Sequence, residues 1–337
     1  MELEMNGSTS ITRSAILGIG SALPDRVLDN HYFEQIVETS DEWIRERTGI
    51  RERHFALPTE MNSDFAAGAA SRAIRDAGLE PLDIDVLIIA TCTQDRQIPS
   101  TAVIVQEKIG ALNAAAFDLN AACTGFIYGM IVANSLILSG AARHVVVVGS
   151  ELLSRCINME DRATCVLFGD GAGAVVMGAA RNGNGLLGYY FRSDGRQKEL
   201  ITIPAGGTEM PASHASIDAK LHYVQMKGNE VYKFAVSNLV ESARKALEHG
   251  NLTPEDIDLV IPHQANTRIL ESVAKRLGID YDSKFFINLP HIGNTSSASI
   301  PIALAEARDT GRIKPGQIVL FVAFGGGLTW GGAAVRL

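Results

Sequence analysis

Short apolar runs alternate with amphipathic stretches along this chain. SAILGIG, IDVLIIA, HVVVVG and GAVVMG in the first half have the length and β-branched content of buried strands. Between them, residues 60–77, 99–109 and 123–139 read as helices. The second half repeats the logic, with helices at 228–249, 266–277 and 296–309 and strands at IDLVIPH and IVLFVAF. This alternation predicts α/β layers with mostly parallel strand pairing.

An internal repeat organises the pattern. ASRAIRDAGLEPLDIDVLII (70–89) aligns without a gap on ARKALEHGNLTPEDIDLVIP (243–262), an offset of 173 residues. Ala70/Ala243, Ala73/Ala246, Leu79/Leu252, Pro81/Pro254, Asp83/Asp256, Ile84/Ile257 and Asp85/Asp258 are identical. The same offset lays HVVVV on QIVLF, so two duplicated halves are expected, 14–180 and 181–337, behind a loose extension at 1–13. RNGNG marks the division with a turn signal, and the lack of a Pro-rich or Gly/Ser-rich linker predicts one compact unit. Glycines cluster in FGDGAGA (168–174) and FGGGLTWGG (324–332), where backbone must approach closely or take positive φ.

Composition narrows the function classes. A chain of 337 residues with 46% hydrophobic content can bury a large core, and its net charge of −8 offers no global field for nucleic acid. The polar N-terminus MELEMNGSTSITR lacks the pattern of a secretory signal, and no run reaches about 18 apolar residues, so a cytoplasmic protein with no membrane partner is expected. Cys92, Cys123, Cys156 and Cys165 show neither disulfide nor metal spacing, and no metal or cofactor is expected.

Candidate chemistry centres on Cys123, in LNAACTGFIYGM, between a short strand candidate and a helix start. A helix N-terminus favours the thiolate and predicts a pKa below the free value of about 8.5. A solitary cysteine is more often an inert core residue, which is how the other three read. His263 follows IDLVIP at a strand's C-terminal end, where open α/β sheets place their sites, and Asn294 precedes a small-residue helix start. Each alone also fits a structural role. Subtracting 173 maps His263 onto Ala90 and Asn294 onto Ala121, two residues before Cys123, so halves related by a pseudo-twofold would bring all three together. A thiolate nucleophile, a proton or hydrogen-bond partner and a neutral donor suit acyl transfer through a covalent thioester. FGGGLTWGG lacks the lysine of a P-loop and reads better as an oxyanion hole of backbone N–H groups.

At this point the chain resembles the β-ketoacyl-acyl carrier protein synthase III family, the priming enzymes of bacterial type II fatty acid synthesis, from about Ile16 to Leu337. The markers are TSDEWIRERTGIRERH (39–54), AACTGF (121–126), DRATCVLFGDGAGA (161–174), KGNEVYKFAV (227–236), PHQANTRI (262–269), GNTSSASIP (293–301) and AFGGGLTWG (323–331). The resemblance implies a thiolase-like five-layered αβαβα fold, a homodimer and a catalytic triad of Cys123, His263 and Asn294. It implies ping-pong chemistry: Cys123 takes the acyl group of an acyl-CoA, with the oxyanion held by the N–H groups of Cys123 and Gly326. His263 and Asn294 then donate to the thioester carbonyl of malonyl-acyl carrier protein as carbon dioxide leaves, and the carbanion attacks the acyl-cysteine. No late second cysteine follows Cys165, which favours this decarboxylating branch over thiolases proper.

The resemblance also implies an adenine clamp of Trp43 and Arg162 at the CoA entrance, with Arg47, Gly228, Asn266 and Arg268 along the tunnel. Acidic carrier protein would dock on Lys233, Arg268, Lys275 and Arg276, the last three sharing a helical face. Two features bear on primer choice: Thr124 after the nucleophile, where some relatives carry alanine, and TQDRQIPST (93–101), in a region that reaches the partner's acyl pocket. The alternatives are a secondary-metabolism ketosynthase or acyltransferase of the same fold, and a non-catalytic partner subunit.

Overall fold

The computed structural model describes residues 13–181 and 183–337. Its principal strands are β1 (Ser14–Ala22), β2 (Val86–Ala90), β3 (Ala115–Leu119), β4 (Val145–Leu152), β5 (Asp170–Ala179), β6 (Gly185–Ser193), β7 (Leu259–Pro262), β8 (Ile318–Gly325) and β9 (Thr329–Arg336). The principal helices are α1 (Asp41–Thr48), α2 (Asn62–Asp76), α3 (Thr101–Ile109), α4 (Gly125–Leu138), α5 (Gly228–His249), α6 (Thr267–Leu277) and α7 (Ser299–Asp309). Each apolar run and amphipathic stretch noted above forms its expected element. The ends follow local chemistry: α6 starts where Asn266 Oδ1 accepts from Arg268 N–H and stops at Gly278, whose φ of 72° suits only glycine without strain. Of the extension expected at 1–13, residues 1–12 lie outside the described residues, and Arg13 O accepts from Ala180 N–H at 3.0 Å.

One sheet runs β1-β5-β4-β2-β3 and the other β7-β8-β9-β6. In both, the order and direction of β2-β4-β5-β1 recur as β7-β8-β9-β6, and β3 extends only the first. The expectation of mostly parallel pairing is corrected: β2 lies parallel to β3 and β4, and β7 to β8, whereas β4/β5, β5/β1, β8/β9 and β9/β6 are antiparallel. Only residues 326–328 separate β8 from β9, far too few for the crossover that a parallel neighbour requires. β6 and β9 escaped the hydrophobic pattern because their faces carry glycine. A Cβ on Gly332 would lie 2.6 Å from Ser242 O, so α5 can rest on β9 only because that strand lacks side-chain bulk there.

Five layers result. On the outer face of the first sheet, α2 and α3 set Ala66, Ala69, Ala73 and Val105 against Val146, Val148 and Val176. Between the sheets, α4 and α7 place Phe126, Met130, Ile300 and Leu304 between Val147 and Val175 on one side and Val319 and Phe321 on the other. Outside the second sheet, α5 and α6 cover Leu320 and Val322 with Leu239, Ala243 and Val273. Each large side chain so buried contributes about 1.5–3 kcal/mol, which fixes the αβαβα stacking. The C-terminal ends of β2, β4, β7 and β8 consequently open toward the starts of α4 and α7.

Candidate active site

The starts of α4 and α7 are built alike. Asn120 Oδ1 accepts from Ala122 N–H at 3.2 Å, Ala122 takes a φ of 46°, and a 3-10 turn over Ala122–Thr124 leads into α4. Asn294 Oδ1 accepts from Ser296 N–H at 2.9 Å, Ser296 takes a φ of 49°, and a 3-10 turn over Ser296–Ala298 leads into α7. Asn294 therefore matches Asn120, an offset of 174, and the pairing with Ala121 is corrected. One residue is gained between strand and turn in the second half, which a rigid offset cannot register.

These turns bring the three expected catalytic residues together through a fourth, Ser296. Its side chain lines the same cavity as the Cys123 thiol and favours the thiolate form. Its N–H holds Asn294 Oδ1, which leaves the Asn294 amide nitrogen free to donate. Ser299 Oγ lies 2.9 Å from the Ser296 carbonyl and 2.7 Å from His263 Nδ1; a hydroxyl proton directed at Nδ1 keeps the proton of the neutral imidazole on Nε2, where it can donate. The backbone of His263 is pinned where its N–H donates to Val322 O at 2.8 Å. Asn294 is pinned between Leu167 and Gly169, donating to Leu167 O at 3.0 Å and accepting from Gly169 N–H at 2.9 Å. This gives FGDGAGA a role beyond packing.

The thiol is buried between its own N–H and that of Gly326, both of which lower its pKa. A Cβ on Gly325 would lie 2.7 Å from Cys123 N, so the glycine run lets this backbone close on the nucleophile. Even so, burial outweighs these donors and pushes the Cys123 thiol up to about 11, helped by the nearby Glu151 carboxyl. The expectation of a thiol below 8.5 is corrected, because desolvation at the start of α4 outweighs the donors that face Cys123. Burial likewise lowers His263 to about 4, so its imidazole is neutral near pH 7.

A cavity of about 450 Å³ leads to the thiol, lined by Cys92, Cys123, Leu153, Phe168, Ile203, Ser296 and Gly326 among others. Thr124 is buried beside it, its hydroxyl 3.1 Å from that of Thr329. The apolar cluster of Leu153, Phe168 and Val224 continues outward to Trp43. There the Arg162 guanidinium stands 4.9 Å from the Trp43 ring and donates to Glu38 O at 2.8 Å. A ring between them needs about 7 Å, two contact distances of about 3.5 Å, so Arg162 must swing away to admit an adenine. Arg47 flanks Trp43 at 5.8 Å, and the Asn266 amide donates to Arg47 O at 2.8 Å, which ties α1 to α6. Gly228 opens α5 with free space where a Cβ would stand. Lys233, Arg268, Lys275 and Arg276 are all exposed on α5 and α6. Among the described residues no His, Cys, Asp or Glu cluster is arranged to hold a metal, and no helix is long and apolar enough to cross a membrane.

Sequence reading missed Ser296, Ser299 and Glu151. Ser296 and Ser299 looked like the small residues of a helix start. Glu151 carried a usable signal, since a glutamate ending the apolar run HVVVVGSEL is out of place unless it is bonded.

Comparisons with known proteins agree with this geometry. Residues 117–195 match the family model described as 3-oxoacyl-[acyl-carrier-protein (ACP)] synthase III, and residues 247–337 match its C-terminal counterpart. The chain is 52% identical over 323 residues, 96% of its length and 97% of the relative's, to the β-ketoacyl-[acyl-carrier-protein] synthase III of Caldanaerobacter subterraneus subsp. tengcongensis. The crystal structure of 3-oxoacyl-[acyl-carrier-protein] synthase III from Aquifex aeolicus VF5 superposes with a TM-score of 0.89 at 44% identity, covering 96% of this chain and 100% of that one. The priming β-ketosynthase of the R1128 polyketide biosynthetic pathway gives a TM-score of 0.90 at 33% identity, covering 99% and 98%. With half its residues identical to such a relative across nearly the full length of both, the chain belongs to the β-ketoacyl-[acyl-carrier-protein] synthase III family.

Proposed function

We propose that this enzyme primes fatty acid synthesis by condensing a short acyl-CoA with malonyl-acyl carrier protein, releasing CoA and carbon dioxide. The observation that carries the reading is the junction at Ser296, which gathers Cys123, His263 and Asn294 around one thiol in a cavity of about 450 Å³. Cys123 attacks the acyl-CoA carbonyl, and the N–H groups of Cys123 and Gly326 receive the oxyanion. The freed Asn294 amide and His263 then donate to the malonyl thioester carbonyl, stabilising the enolate left by decarboxylation. Each such donor is worth about 10²–10³ in rate.

Coenzyme A enters here as a substrate, past Trp43, Arg162, Arg47, Gly228, Asn266 and Arg268. The working unit is a cytoplasmic homodimer: β3 is an open sheet edge, and Phe117, Phe191 and Val103 stand exposed near it. Intact-mass analysis after incubation with an acyl-CoA panel, followed by malonyl-acyl carrier protein, tests the reading. Cys123→Ala abolishes both the acyl adduct and the product. His263→Ala and Asn294→Ala retain the adduct but lose decarboxylation by about 10² or more. An adduct with transfer but no loss of carbon dioxide would favour a priming or acyl-transferring relative, for which the likeness to the polyketide ketosynthase supplies the motive.

A further inference from the structure

The reaction above leaves one proton without an acceptor. The Cys123 thiol is buried and protonated at neutral pH, and its attack on a thioester requires that proton to go elsewhere. Glu151, at the end of β4, is fully buried beside it and has no part in the scheme so far.

The bonds around Glu151 distinguish its two oxygens. Oε2 receives the hydroxyls of Thr93 at 2.6 Å and Thr91 at 3.2 Å and the N–H of Cys92 at 3.1 Å. Both threonine oxygens already accept, Thr93 from Leu152 N–H at 2.9 Å and Thr91 from the Asn62 amide at 3.0 Å, so their own protons point at Oε2. Oε1 meets Ser297 Oγ at 3.0 Å and Ser296 Oγ at 3.2 Å. Ser297 has a second acceptor in Ala90 O at 2.8 Å and the Cys92 thiol lies 3.4 Å from Oε1, so of the two serines the one whose contact with Oε1 can carry a proton in either direction is Ser296. The Ser296 side chain and the Cys123 thiol line the same cavity, which places this hydroxyl between the carboxyl and the nucleophile.

We infer that Glu151, through the Ser296 hydroxyl, accepts the Cys123 proton in the self-acylation half-reaction. The inference rests on Cys123 being the acylated residue. As the thiol S–H bond breaks, its proton joins Ser296 Oγ, and the proton already on Oγ passes to Oε1. The sulfur lone pair forms the new bond to the acyl carbon; collapse of the adduct breaks the carbon–sulfur bond to CoA. The CoA sulfur takes the proton from Ser296 Oγ and leaves as a thiol, while the proton held on Oε1 returns to Oγ and restores the Glu151 carboxylate. Ser296 touches the reacting sulfur, and Glu151 acts through it. Burial raises the Glu151 carboxyl above the ordinary glutamate range, which suits a transient proton holder. The other titratable groups acting at this spot are the thiols of Cys92 and Cys156, with Asp170 and Arg155 behind Cys156.

Two variants test the relay. Glu151→Gln removes the acceptor, and Ser296→Gly removes the hydroxyl while keeping the N–H that holds Asn294 and tolerating a φ of 49°. In both, acylation of Cys123 by acetyl-CoA, read by intact mass in a quenched time course, falls by about 10². In Glu151→Gln, decarboxylation of malonyl-acyl carrier protein by enzyme acylated beforehand stays close to wild type, the reverse of the pattern for His263→Ala. Alkylation of Cys123 by iodoacetamide supplies a signature that packing alone would not move. In wild type the shared proton gives a rate that is flat with pH through neutrality; in both variants it climbs about tenfold per pH unit. Wild-type acylation rates and pH profiles in the two variants would overturn the relay, as would equal loss of both half-reactions with the flat profile retained. Absence of an acyl adduct on wild-type Cys123 would instead overturn the functional reading on which it rests.

Discussion

Single residues at this site are defined by what they exclude as much as by what they touch. His263 is sealed from water, and its imidazole titrates near 4 instead of 6.5. Above pH 6.5 the folded and unfolded chains both carry it neutral, so it leaves stability unaffected. Between 6.5 and 4 the unfolded chain takes up a proton that the folded chain refuses, and stability is lost by up to about 3 kcal/mol before levelling off. His263→Gln should lose this acid sensitivity. Urea unfolding at pH 7 and pH 4.5 checks it: the wild-type advantage at pH 7 should shrink or reverse at pH 4.5, and an identical pH slope in the two proteins would refute the assignment.

Elements were more legible than the contacts between them. The extent of α5 followed from its periodicity because an amphipathic helix writes its buried face into the sequence. Strand direction did not, because a buried run reads the same whichever way its neighbour points. The strand β3 shows a further limit: Ala115–Leu119 is only partly covered in the chain by itself, with Phe117 38% exposed at the open edge. An unpaired edge beside exposed apolar side chains is the face on which the proposed dimer would form. Phe117→Glu should convert a dimer to monomers in analytical ultracentrifugation and lower activity. A dimer unchanged by this substitution would place the interface elsewhere.

At the scale of the molecule, a net charge of −8 repels an acidic protein partner unless the local field reverses. The exposed face of α6 offers Lys275 and Arg276 two turns beyond Arg268, on the helix that Asn266 ties to Arg47 beside the proposed entrance. Lys275→Glu with Arg276→Glu should raise KM for malonyl-acyl carrier protein roughly tenfold while leaving acylation by acetyl-CoA unchanged. Added salt should raise the wild-type KM in the same direction, since exposed charges are screened over about 8 Å at physiological ionic strength. Equal effects on both substrates would instead point to a disturbed tunnel.

The sequence by itself indicated the layers, the repeat and the candidates Cys123, His263 and Asn294, because periodicity, repetition and motif spacing are properties of neighbours along the chain. It could not yield the meeting of Ser296 with Glu151, 145 residues apart, or the strained φ that aims Ser296. Nor could it yield the state of the thiol, where burial overrides the helix N-terminus. Desolvation, register between halves and hydrogen bonds across them depend on what packing brings within a few ångströms, and only the tertiary structure decides that.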